Sequence, residues 1–466
     1  MTLSAALALV VMASCTNGGS KDAAALGPTS RANGAATAEG AGREAACRAA
    51  PPRLRPSPHR PRYRMLVRVG PQRDLVTGRV RVWFTPDRRT DHLVFRLWPN
   101  GPRPASAGAD LRTGTPTSGG KRLTTARPDP TTLVVRLGRP LSPGEGASVR
   151  VPWRLTVPSG VADRLARAGE TLRLGSFFPL LAWETGRGWA LDPPTTGFAE
   201  ASVSPAADFD VRVSAPAGDR VLATGKRIGP SRWRARGVRD FALAVGRFDI
   251  ARRPVRAGRA TIVSVGVAHG LGVRPGPFLE RMTGALDDLS RRYGAYPWPT
   301  LSLAVLPDLG ASGIEYPTMI FQGPQSLDLA TVHEVAHQWF YSLVGNNQAR
   351  DPWLDEGITS WAQARADGML RWYEEHPVPG PARGHLGKPM TFWDQRDRHY
   401  FAGVYVAGVQ ALAALGRPRR VDCALRSYVA ANAYRTAHPG DVVAELGRAV
   451  PGAARVLARF GVRVRK

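Results

Sequence analysis

The sequence predicts a multidomain chain in which an all-β domain precedes an α+β domain that ends in helices. Three observations predict it. At 466 residues the chain is longer than one hydrophobic core usually serves. Between Tyr63 and Arg253, apolar residues alternate with polar ones at period two, in short runs bounded by Gly, Pro, Asn and Asp. Beyond Pro254, strand-like runs give way to segments whose apolar residues recur at helical spacing.

The chain opens with "MTLSAALALVVMASC", whose apolar run from Leu3 to Ala13 is too short to span a bilayer and fits the apolar part of a secretory signal. Ala13 and Ser14 before Cys15 resemble a bacterial lipobox. That resemblance implies a signal over residues 1–15, lipid attached at Cys15, and an exported protein held on the outer side of a cell membrane. A plain cleaved signal or an uncleaved anchor is the alternative. Residues 16–62 are Ala, Gly, Ser, Pro and Arg with few large apolar side chains, a composition that cannot bury enough surface to fold and reads as a disordered tether. Cys47 and Cys423 are an even pair compatible with an oxidising compartment, but two cysteines alone do not establish a bridge.

Residues 63–253 supply the β domain. "GRVRVWFTP", "DHLVFRLWPN", "TTLVVRLG", "SVRVPWRLTV" and "DFDVRVSAP" each alternate and end in turn residues, the pattern of antiparallel strands. In residues 254–420, "ATIVSVGVA" and "LSLAVLP" read as buried strands, while Phe278, Met282, Leu286 and Leu289 mark a helix between them. "TVHEVAHQWF" and "DEGITSWAQARADGMLRWYEE" follow as long helices, with Asp328 as a residue of helix entry. Residues 421–466 form a short helical remainder.

Lys and Arg number 64 against 37 Asp and Glu, for a net charge of +27. The cations are spread along the whole chain and are not interleaved with aromatics, so no nucleic-acid groove is expected. Attraction to an anionic membrane or wall surface fits better. Nothing in the sequence specifies an oligomer, and a monomer is expected.

The chemistry concentrates between Thr331 and Gly357. His333 and His337 stand one helical turn apart and can converge on one ion. Glu334 lies beside the first, able to reach a metal-bound water without being a ligand. Catalytic zinc takes a third protein ligand and keeps one position open. Glu356 of "WLDEG", with eighteen residues between it and His337, is the candidate.

"HEVAHQWF" followed by "WLDEGITSW" resembles the aminopeptidase N-like family of zinc metallopeptidases. "GIEYP" from Gly313 resembles that family's exopeptidase motif, and "YVAG" from Tyr405 is similar to the element carrying its catalytic tyrosine. The resemblance, which takes in "VFRLWPN", "FFPLLAWE" and "GRGWA", implies a saddle-like β domain and a thermolysin-like α+β peptidase domain. It implies one Zn²⁺ on His333, His337 and Glu356, and Glu334 as general base for a metal-activated water. Tyr405 would donate to the oxyanion, Glu315 would hold the substrate's α-ammonium, and the backbone from Gly313 would pair with a peptide substrate. The activity implied is removal of N-terminal residues. Glu315 as a plain strand-edge carboxylate, Tyr405 as a core tyrosine and Tyr400 in the tyrosine's role stay open. An endopeptidase, or a non-catalytic surface-binding protein that keeps zinc for structure, are the alternative functions.

The chain departs from the family pattern at Ile314, Tyr316, Tyr341, Asp355 and Ala407. These positions bear on substrate preference and rate more than on the metal. The large helical domain of longer relatives has only a remnant here, which implies an open site.

Overall fold

The computed structural model describes residues 49–160, 163–196 and 203–464. Cys15 with the whole signal, Cys47, and the tether up to residue 48 lie outside them. No described helix is long and apolar enough to cross a membrane.

The β domain is built around a nine-stranded sheet. At its centre Arg62–Val69 and Leu75–Phe84 form a hairpin that places Tyr63, Met65 and Val67 of the first strand and Val76, Val80 and Val82 of the second in the core. Period-two alternation sends the intervening arginines outward. Tyr63 stacks on Phe209 with ring centroids 4.4 Å apart, and its hydroxyl accepts the Leu181 N–H at 3.1 Å. One pairing differs from the antiparallel expectation: Arg62–Val69 runs parallel to Ala207–Ser214. The second strand returns after more than a hundred residues, and so long a connection does not constrain its direction as a tight turn would.

The segment expected to be tether is packed from residue 49 onward. Leu54 donates its N–H to Ala430 O at 3.1 Å, and Arg60 pairs with Asp208 at 2.7 Å. Composition signalled the lack of regular structure; the contacts, made with a strand 148 residues away and with a helix still more distant, left no local mark.

The second domain holds a five-stranded sheet in the order Phe248–Arg256, Ala260–Ala268, Thr300–Val305, Met319–Gln322, Gly313–Ile314. The middle three strands are parallel and the edge strands antiparallel. Helix Pro275–Tyr293 crosses between two parallel strands and buries Phe278, Met282, Leu286 and Leu289, as their spacing predicts. Both expected boundaries move. The one at Arg253 falls inside strand Phe248–Arg256, because period two does not reveal to which sheet a strand belongs. The one at residue 420 falls inside helix Pro418–Asn432, which is fastened to this domain by Asp422: its carboxylate accepts from Tyr293 Oη at 3.1 Å, Trp361 Nε1 at 2.9 Å and Arg365 Nε at 3.0 Å. Next to it, Cys423 is disulfide-bonded.

Candidate metal centre

The histidine helix is shorter than expected. It spans Thr331–Ala336, its N-cap is Ala330 and not Asp328, and His337 is its C-cap with helical φ of −58°. The His337 N–H still donates to His333 O at 3.1 Å, so the one-turn relation between the histidines survives. The chain then turns away through Tyr341, whose φ of 125° suits glycine better than tyrosine. Arg239, fully buried, donates from Nε to Tyr341 O at 3.0 Å and from Nη1 to Ser204 O at 3.0 Å. That anchor accounts for how a tyrosine is held where the family has glycine. The next helix runs Glu356–Asp367 and stops at Gly368 in the left-handed region, φ 69°, so the single long helix expected there is two.

These elements bring His333, His337 and Glu356 together, one donor atom from each lying within 4.8 Å of the others. His333 Nε2 is 3.1 Å and His337 Nε2 3.4 Å from Glu356 Oε2. The far ring nitrogens fix the tautomers. Gln363 donates from Nε2 to Leu329 O at 2.8 Å, which turns its Oε1 to His333 Nδ1 at 3.2 Å. His337 Nδ1 faces Asp355 Oδ1 at 2.8 Å, with Phe340 O and Thr359 Oγ1 each at 3.2 Å. With protons on both Nδ1 atoms, the two Nε2 lone pairs would point at one spot beside a carboxylate. Two imidazoles and one carboxylate are a catalytic-zinc donor set.

The local field also favours a cation. Burial would lower the His337 pKa, but Glu356 and Asp355 outweigh it and hold it well above the usual histidine value. Burial would raise the Glu356 pKa; the two facing histidines instead pull it below the ordinary carboxylate range. Burial lifts the Asp355 carboxyl to about 6, against the lowering effect of His337.

Glu334 is 4% exposed, and its Oε2 has no hydrogen-bond partner among the described residues. Burial pushes its pKa well up, the neighbouring Glu315 and Glu356 add to that, and His337 and Arg164 oppose it. Glu315, Glu334 and His337 form a second cluster with donor atoms within 4.8 Å. Gly313 is needed for this approach: a Cβ there would lie 2.5 Å from Cγ, Cδ and Oε1 of Glu334. Glu315 is buried at 5% exposure and pairs with Arg164 of the β domain at 3.4 Å, so it is no free surface carboxylate.

Tyr405 sits on a π-helical segment, Phe401–Val406. Its ring lies parallel to that of His333 at 5.7 Å, and Tyr400 packs edge-on behind it at 5.7 Å. Of the two tyrosines, Tyr405 is therefore the one against the metal ligand. Two glycines allow it. A Cβ on Gly408 would lie 2.5 Å from Gly357 Cα, so the segment carrying Tyr405 and the helix carrying Glu356 touch backbone to backbone.

Sequence reasoning missed Thr359 and Gln363 as partners of the histidines, although they stand three and seven residues after Glu356, on its face of one helix. Asp355 was visible only as a departure from the family pattern. Arg164 lies 151 residues before Glu315 and left no local signal.

Comparison with known proteins agrees with this geometry. Residues 279–376 match the model of the peptidase family M1 domain. Aminopeptidase B of Mus musculus is 30% identical over 102 residues, and leukotriene A-4 hydrolase of Xenopus laevis 34% over 98 residues, each match covering 20% of this chain and 16% of the relative. The chain thus spans about a sixth of the length of these curated relatives. The crystal structure of an M1 zinc metallopeptidase from Deinococcus radiodurans aligns over 88% of this chain and 95% of its own with a TM-score of 0.64 at 20% identity. A mutant of that protein bound to a Tyr-Ser-Ala substrate aligns over 87% and 96%, also with a TM-score of 0.64. The likeness of "HEVAHQWF" and "WLDEG" to the aminopeptidase N-like zinc peptidases is borne out: the chain has the fold of an M1 zinc metallopeptidase, with the sequence of the peptidase family M1 domain at residues 279–376.

Proposed function

We propose that this protein is a zinc aminopeptidase that removes N-terminal residues from peptides. One observation carries the reading: the buried donor set His333, His337, Glu356 shares His337 with a second buried cluster, Glu315 and Glu334, at the end of an open sheet edge. A purely structural zinc site has no use for a buried, unpartnered carboxylate beside it.

His333, His337 and Glu356 would hold zinc, which would supply Lewis-acid polarisation of the scissile carbonyl and a more acidic water. Glu334 takes that water's proton on its unpartnered carboxylate oxygen and returns it to the leaving amine. Tyr405, stacked on His333, donates its hydroxyl proton in a hydrogen bond to the developing oxyanion. Strand Gly313–Ile314 is the sheet's edge, and an extended peptide adds to it in the manner of one more strand. A peptide so placed brings its α-ammonium to Glu315, the next residue, which thereby sets cleavage one residue from the end.

Exported, membrane-attached action belongs to the same reading; its support is the apolar run Leu3–Ala13 ending at Cys15. Zinc analysis with peptide turnover tests the central part. The wild type should carry one zinc and lose turnover on chelation; Glu334→Gln should keep the zinc and lose about 10²–10⁴-fold in kcat. A Glu334→Gln variant as active as the wild type would sink the mechanism.

A further inference from the structure

The corner assigned to the substrate's α-ammonium already contains a cation, and it comes from the other domain. Arg164 Nη1 lies 3.4 Å from Glu315 Oε1, and its guanidinium sits 5.8 Å from the centre of the Tyr316 ring. The two paired side chains are only 16% and 7% exposed, so solvent does not dilute the interaction as it does at a surface pair.

The β-domain wall that carries Arg164 is fitted closely to this corner. Arg164 O accepts the Gly175 N–H at 2.9 Å, and Gly175 is where Tyr316 rests: a Cβ there would lie 2.1 Å from the Tyr316 hydroxyl oxygen. Ser176 Oγ stands 3.2 Å from that hydroxyl and donates to Asp240 Oδ2 at 2.6 Å. Tyr316, one of the departures from the family motif, is thus the residue against which the segment bonded to Arg164 is seated at Gly175.

An ammonium entering beside Glu315 meets a carboxylate and a guanidinium together. For a substrate with a neutral side chain, the ammonium and the guanidinium then compete for Glu315, with only Glu334 as a second carboxylate nearby. A basic side chain adds a third cation. An acidic first residue matches the corner: its ammonium faces Glu315 while its side-chain carboxylate faces Arg164, whose planar fork is suited to bidentate pairing with a carboxylate. We propose that Arg164 is a specificity-determining residue that selects peptides whose N-terminal residue is Asp or Glu. This rests on the aminopeptidase reading of the site and adds the substrate class to it.

The test separates the two. Tripeptides Glu-Ala-Ala, Gln-Ala-Ala, Arg-Ala-Ala and acetyl-Glu-Ala-Ala are titrated calorimetrically into the zinc-loaded Glu334→Gln protein, whose turnover is slowed by about 10²–10⁴-fold. The proposal expects Glu-Ala-Ala to bind at least tenfold tighter than Gln-Ala-Ala, Arg-Ala-Ala to bind weakest, and the acetylated peptide to be rejected. Adding Arg164→Gln should bring the Glu to Gln ratio near one, while Arg164→Lys should restore part of it. In the wild type, kcat/KM for Glu and Gln substrates should show the same ratio. Equal binding of Glu-Ala-Ala and Gln-Ala-Ala, with the acetylated peptide still rejected, overturns the selectivity alone. A parallel loss for all peptides in Arg164→Gln overturns it too, because that is the mark of an arginine that only positions Glu315. Equal binding of the free and acetylated peptides overturns the aminopeptidase reading itself.

Discussion

Replacing Gly313 by alanine adds one methyl group at the point where the sheet edge meets Glu334. The backbone takes the change without strain, since Gly313 is absent from the residues with positive φ. The methyl carbon would lie 2.5 Å from Cγ, Cδ and Oε1 of Glu334, whereas carbon atoms pack at about 3.5–4.0 Å. Either the glutamate or the strand must retreat by roughly 1 Å, and a misplacement of that size at a reacting group costs about 10²-fold in rate. The three nearest atoms it meets all belong to Glu334 and none to His333, His337 or Glu356, so the metal should stay. The assay is kcat on a peptide substrate, with zinc content and melting temperature measured on the same samples. The expected outcome is a kcat lowered about 10²-fold in a protein with its full zinc. Unchanged kcat would refute the placement of Glu334 as base against this strand, and loss of zinc would show that the strand supports the metal donors instead.

Other perturbations reach the neighbouring parts. Gly408→Ala forces a methyl to 2.5 Å from Gly357 Cα and should part the Tyr405 segment from the Glu356 helix, costing about 1–3 kcal/mol in denaturant unfolding along with turnover. Asp355→Asn weakens the acceptor 2.8 Å from His337 Nδ1, and competition with a chelator should show zinc affinity down by about 10–100-fold. Burial raises the Asp240 carboxyl to about 7, so the folded form binds its proton more tightly than the unfolded chain does. The stability this group confers is present in acid and lost as pH rises from roughly 4 through 7. Denaturant titrations across that window should show the wild type falling relative to Asp240→Asn, by a few kcal/mol at most; a difference independent of pH would contradict the assignment.

Local signals carried most of what the sequence revealed. The two histidines one turn apart, Glu334 beside them and the helical spacing of Phe278, Met282, Leu286 and Leu289 all depend on residues within a few turns of one another, and periodicity reports such relations directly. Glu356 was legible as the third-ligand candidate from its place after His337, whereas Glu315 and Tyr405 were legible through motif likeness, because nothing in their own surroundings says that they meet the site. What stayed hidden depends on contacts between distant segments. The boundary strand Phe248–Arg256 reads the same whichever sheet it joins, the parallel pairing of Arg62–Val69 is decided by a long return path, and Arg164 reaches Glu315 from another domain. The close approaches at Gly313, Gly357 and Gly408 belong to the same class: each glycine lies in a quoted motif, but its contact shows only once the partner is known.

The account stands most directly on one comparison, the hydrolysis of a free aminoacyl-peptide and of its N-acetylated counterpart by the zinc-loaded protein. If Glu315 anchors an α-ammonium and Glu334 serves zinc held by His333, His337 and Glu356, the free peptide is cut one residue at a time and the acetylated one is spared. Equal cleavage of both, or internal cuts in either, would contradict the claim.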